Sequence, residues 1–198
     1  MTPLRPFLDG CARPGASNTS PGPRRTASVA VMGALQTYNI TVDWTGADER
    51  GTASYTSYSR DHEVRVEGKP TLLATSDLKV RTDVSRYRAE ELFVGAISQA
   101  QMLWFLRTAA KHDVVVLGYA DKATGTQRVE GAGSGPFVEV VLRPRVTYAE
   151  PGISAELAAR LHHEAREYNH IARSVLFPVR VEPAVRAPQP QGAAVPVE

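Results

Sequence analysis

The chain has 198 residues, with 23 lysines and arginines against 21 aspartates and glutamates, a formal net charge of +2. That length allows one domain, or two small ones, folded without covalent staples. The single cysteine, Cys11, excludes an intramolecular disulfide framework, a cysteine-cluster metal site and any mechanism needing two thiols in one chain. No apolar run reaches the roughly 18 residues of a membrane-spanning helix.

Residues 1–31 hold Pro3, Pro6, Pro14, Pro21 and Pro23, three glycines and no apolar periodicity. Their four arginines face one acid, Asp9, a net of +3 that leaves −1 for the rest of the chain. The basic balance therefore belongs to this arm, and neither a nucleic-acid nor a membrane partner is expected. The arm has no continuous apolar segment to serve as a secretory signal, which points to the cytoplasm. Its Arg- and Ser-rich, acid-poor character loosely fits a transit peptide, its proline content predicts disorder, and Met32 is an alternative start of translation. The tail 184–198, with Pro188, Pro190 and Pro196, is also predicted to be flexible, so one domain is expected over 32–183.

Within that domain Gln36–Trp44 alternates and is rich in Tyr, Ile, Thr and Val, which predicts a strand. A turn follows at Thr45–Asp48, then strands over Gly51–Arg60 and Glu63–Val66 and a turn at Glu67–Pro70. Ala89–Lys111 is the strongest helix, and Leu92–Leu106 carries no charge. A helix that is apolar all round is expected to be buried all round, in a core or a subunit interface. Strands are predicted over Val114–Ala120, Thr126–Glu130 and Phe137–Thr147, with a glycine-rich turn at Gly131–Gly135 before the last. That loop precedes a strand rather than a helix, so it is not a phosphate cradle. A second helix spans Ser154–Ser174, with Leu157, Leu161, Ala165, Tyr168, Ala172 and Val175 on one face, and a short strand follows at Pro178–Val181. This order is α+β rather than the alternation of a parallel sheet.

Chemical signals are sparse. Arg60–Asp61–His62 ends a predicted strand and reads either as a pocket arginine with a nearby histidine or as an edge cluster. Glu90 and Glu91 in the first helical turn are accounted for by the helix dipole. His162, His163, Glu167 and His170 could suggest a metal, but His163, Glu167 and His170 share a helix face opposite the apolar stripe, which predicts a solvated face rather than a metal site. No metal or cofactor is expected.

Four segments in order carry a resemblance: Tyr58–His62; Ala89–Ser98 with Met102–Leu106; Val138–Val146; and Ile171–Val179. Together they resemble the OsmC/Ohr family of osmotically induced and organic-hydroperoxide-resistance proteins, over about residues 38–183. The resemblance implies an OsmC-like α+β fold, with antiparallel sheets around a long buried central helix, in an intertwined homodimer with pockets at the subunit interface. It also implies a thiol peroxidase mechanism, in which a cysteine on the central helix attacks a hydroperoxide and a second-helix cysteine closes a disulfide. An arginine and a glutamate activate the first thiol. Arg60 and Glu90 match that pair. The family pattern Ser-x-Cys-His-Met stands here as Ser98–Gln99–Ala100–Gln101–Met102, and the second cysteine position is Asn169. The usual Asn-Pro before Glu-Glu is Arg88–Ala89. Neither Ala nor Asn forms a sulfenic acid or a disulfide.

Three functions follow as expectations. The first is a non-catalytic homodimer whose pocket (Arg60, His62, Glu90, Gln99, Ala100, Gln101 and Asn169) takes a small apolar or anionic ligand. Arg60 would supply the cation and the amides hydrogen bonds, unless the amides pair with each other or with backbone. The second is an interaction protein recruited through its arm. The third is a peroxide or oxidative-stress enzyme working by another route, with Arg60, His62 and Glu90 in acid–base roles.

Overall fold

The computed structural model describes residues 33–76, 83–131 and 135–183. The arm with Cys11, the alternative start Met32, the centre of the glycine-rich turn and the tail from Ala184 lie outside the described residues. The chain divides into two units, Met1–Tyr38 and Asn39–Glu198. Of the first, residues 33–38 are described and have no regular structure.

The second unit opens with strands β1 (Thr41–Trp44), β2 (His62–Arg65), β3 (Leu72–Thr75) and β4 (Tyr87–Arg88), which form one sheet in that order. β1–β2 and β2–β3 are antiparallel, and the two-residue β4 adds in parallel to β3. The strand expected over Gly51–Arg60 is instead a run of turns. Gly51 has φ +51, and the Ser57 hydroxyl accepts from the Ser54 N–H (3.0 Å) and donates to the Gly51 carbonyl (2.9 Å). Such local hydroxyl–backbone bonds outcompete a strand ladder. β3 and β4, too short to show alternation, were not expected from the sequence.

The long helix α1 (Ala89–Lys111) has the predicted ends. The Arg88 N–H donates to the Glu91 carboxylate at 3.0 Å and closes its first turn. After α1 come β5 (Val116–Asp121), β6 (Thr124–Gln127), β7 (Phe137–Leu142), β8 (Pro144–Tyr148), α2 (Ala155–Tyr168), a short 3-10 turn (Ala172–Ser174) and β9 (Val179–Val181). The single strand expected over Phe137–Thr147 is two strands in different sheets: β7 lies between β6 and β9, and β8 pairs with β5. The break is at Arg143, whose N–H binds Asp121 Oδ1 at 2.6 Å, followed by Pro144, which has no N–H to offer.

The second helix starts where expected, with Ser154 Oγ accepting from the Leu157 N–H at 3.1 Å. It ends at Asn169, not at Ser174, because the Asn169 side chain takes the Ala172 N–H (3.0 Å) and caps the next turn.

Two apolar clusters hold this part together. One gathers Ile97, Val140, Leu142 and Val179 under the three-stranded sheet, and the other gathers Phe105, Ala109, Leu161 and Ala165 between α1, α2 and β5–β8. Within one chain α1 is buried along one flank only, which leaves its other face to the subunit interface that the all-round apolar pattern also allows. Ile97, Ala100, Gln101, Phe105, Thr108 and Ala109 are buried, while Gln99, Leu103 and Leu106 face outward. In the first sheet Val42, Trp44, Leu72 and Leu73 are exposed and belong to neither cluster, whereas Ala74 is buried.

Candidate functional site

Of the residues singled out from the sequence, three meet between α1 and α2. Ala100 is buried on the inner flank of α1, and Gln101 and Asn169 are fully buried beside it. Asn169 Nδ2 donates to the Ile97 carbonyl (3.2 Å) and to Gln101 Oε1 (3.3 Å), and Gln101 Nε2 donates to the His162 carbonyl (3.3 Å). With the Ala172 bond, both faces of the Asn169 amide are engaged. The two amides thus pair with each other and with backbone, which is how buried polar groups remain stable.

The other candidates lie apart within one chain. Arg60 sits in the loop before β2, with its guanidinium over the rings of Tyr55 (4.5 Å) and Tyr58 (4.7 Å). It donates to the Tyr55 carbonyl at 3.1 Å. His62 Nδ1 lies 2.9 Å from the Arg60 carbonyl. Glu90 is half-buried in the first turn of α1 and makes no hydrogen bond or ion pair among the described residues, and Gln99 is exposed. No hydrogen bond or ring contact joins Arg60 or His62 to the Ala100–Gln101–Asn169 group among the described residues.

His163, Glu167 and His170 are exposed, as the helical arithmetic predicted, and His170 Nδ1 accepts from Trp104 Nε1 at 3.4 Å. No group of three potential metal ligands occurs among the described residues.

The sequence names His162 beside His163, Glu167 and His170 as a possible metal group, but of the four only His162 is buried. It is 3% exposed and stacks on Phe105 with ring centroids 4.1 Å apart. Burial lowers its pKa to about 4, so the ring is neutral at pH 7, and its Nδ1 is buried without a partner. Burial likewise pushes the nearby Tyr119 hydroxyl above its ordinary range, first through desolvation and then through Asp121. The available signal was position: His162 lies seven residues before Asn169, two helical turns back on the same face of α2.

The described chain is similar to an OsmC-like protein of unknown function from Vibrio cholerae, with 30% sequence identity and a TM-score of 0.69, covering 76% of this chain and 100% of that one. The chain belongs to the OsmC/Ohr family. Organic hydroperoxide resistance proteins from Elizabethkingia anophelis (18% identity, TM-score 0.54, 77% of this chain and 96% of that one) and Bacillus subtilis (16%, 0.52, 76% and 100%) share the fold. No protein-family model and no curated protein matches the chain. Between α1 and α2, Asn169 has partners on every polar side-chain atom. No helix among the described residues is long and apolar enough to cross a membrane.

Proposed function

We propose that this OsmC/Ohr-family protein belongs to the cell's response to oxidative or osmotic stress as a cytoplasmic homodimer that binds a ligand and has no thiol peroxidase activity. The observation that carries this reading is the amide clasp between α1 and α2. Ala100 offers no nucleophile, and Asn169 is a hydrogen-bonded structural amide. A thiol mechanism needs a thiolate at the first position and a second thiol that reaches it.

The dimer is supported by the exposed apolar surface of one chain. Val42 (62% exposed), Trp44 (46%) and Leu72 (39%) share one face of the first sheet by its register, and that sheet has no core cluster of its own. An exposed apolar face of this kind suits an association surface. In the dimer, Arg60 is the cation offered to a small apolar or anionic ligand. Tyr55 and Tyr58 hold its guanidinium in place, with part of its donor fork left for a carboxylate.

The test is consumption of an organic hydroperoxide with a dithiol reductant, comparing the wild type with an Ala100→Cys/Asn169→Cys double variant. Sedimentation of both establishes that they are folded dimers. The expected result is an inert wild type and turnover in the double variant. Consumption of peroxide by the wild type would overturn the reading.

A further inference from the structure

The far end of α1 carries a second cluster that the OsmC/Ohr resemblance does not involve. α1 closes at His112, whose N–H reaches the Thr108 and Ala109 carbonyls, both at 3.1 Å. Asp113 follows with φ +56, the one non-glycine residue in the left-handed region among the described residues. The chain reverses there, and Val114 N–H returns to the Ala109 carbonyl at 2.9 Å. The left-handed region is disfavoured for an L-residue, so the reversal beside His112 is held by its surroundings.

Glu164 of α2 meets this end. Its carboxylate accepts from Lys111 Nζ at 2.9 Å and lies 2.7 Å from His112 Nε2. The Lys111 hydrogen bond first, then the one from His112, holds the Glu164 carboxyl below the usual carboxylate range. Glu164 and His112 form one wall of a cleft of about 410 Å³, lined by His112, Leu157, Arg160, Leu161 and Glu164. Its floor is apolar: Leu161 is fully buried and Leu157 half-buried in the second core cluster.

Arg160 decides the charge of the cleft. It lies one helical turn before Glu164, on the same face, and makes no ion pair or hydrogen bond among the described residues. Glu164 is already neutralised by Lys111, so the Arg160 guanidinium is an uncompensated positive charge above an apolar floor. That combination suits a molecule with an anionic head and an apolar body: the planar fork of Arg160 matches a carboxylate, and Leu157 covers the tail.

We propose that this cleft is a second ligand site, distinct from the Ala100–Asn169 region, that takes a small organic anion with an apolar tail. Arg160 holds the head, His112 (oriented by Glu164) lies against it, and Leu157, packed over the buried Leu161, covers the tail.

The probe is octanoate titrated into the full chain by calorimetry, with 1-octanol as the uncharged control. Histidine ring resonances provide a second readout. Octanoate is expected to bind and to shift the His112 ring signals. Arg160→Gln and the exchange of octanoate for octanol should each weaken binding about tenfold or more, the value of one charge-assisted pair. The His112 ring lies in this cleft, so its shift separates this site from the interface pocket. No octanoate-induced shift of His112, equal binding of octanol, or an unchanged His112 shift in Arg160→Gln would each overturn the proposal.

Discussion

Replacing Asn169 with alanine tests the amide clasp directly. The substitution leaves Gln101 Oε1 without a partner in a site that water does not reach, since Gln101 and Asn169 are both 0% exposed, and it frees the Ala172 N–H, which is half-buried. An orphaned buried group costs about 1–3 kcal/mol and the half-buried one less, so the predicted loss is about 1–4 kcal/mol. The Ile97 carbonyl also loses the Asn169 amide but keeps a helix partner, so it adds little. A loss of that size far exceeds the effect of an ordinary surface substitution. The assay is urea unfolding followed by circular dichroism at pH 7 and fixed protein concentration, because dissociation of a dimer would enter the apparent stability. A double-mutant cycle with Gln101→Ala should give a coupling of about 1 kcal/mol or more. A loss below about 1 kcal/mol, or strictly additive variants, would refute the view that these amides join α1 to α2.

Two further outcomes follow from the same packing. His162 has a folded pKa of about 4, below its ordinary value near 6.5, so the unfolded chain binds more protons between those values. The stability due to its neutral ring is complete above about pH 6.5 and is lost as pH falls toward 4, by about 3 kcal/mol in all. Urea midpoints at pH 7 and pH 4.5 should show this loss, and His162→Phe should flatten it; an unchanged pH profile in that variant would exclude the assignment. A Cβ at Gly125 would collide with Val94 Cγ2 and come within 2.9 Å of Phe137 Cε1. Gly125→Ala should therefore lower the thermal midpoint, at a cost of about 1–3 kcal/mol. Adding Val94→Ala should restore part of that loss, whereas no rescue would mean that the strain lies in the backbone.

The elements that could be read from the sequence are those with a strong local signal. The uncharged run Leu92–Leu106 and the acids Glu90 and Glu91 define α1 to both ends. Ser154 marks the start of α2, and the period of its leucines marks the inner face. The solvated face of His163 and Glu167 follows from the same arithmetic. The strand expected over Gly51–Arg60 failed because its hydroxyls and glycine find backbone partners within a few residues, which alternation does not reveal. β7 and β8 were merged because a continuous apolar pattern does not show that the chain changes sheet at Arg143.

Residue identity alone determines that positions 100 and 169 carry an alanine and an asparagine, neither of which forms a sulfenic acid or a disulfide. What Asn169 does instead was decided by tertiary structure, since its partners at Ile97 and Gln101 are about 70 positions away in the chain, too far for any local spacing to record. The same holds for Glu164 with Lys111 and His112, and for His162 against Phe105. Local periodicity fixes which face of a helix turns inward. Only the packing of one helix on another determines which polar groups meet there, and therefore which are satisfied and which are left to bind something else.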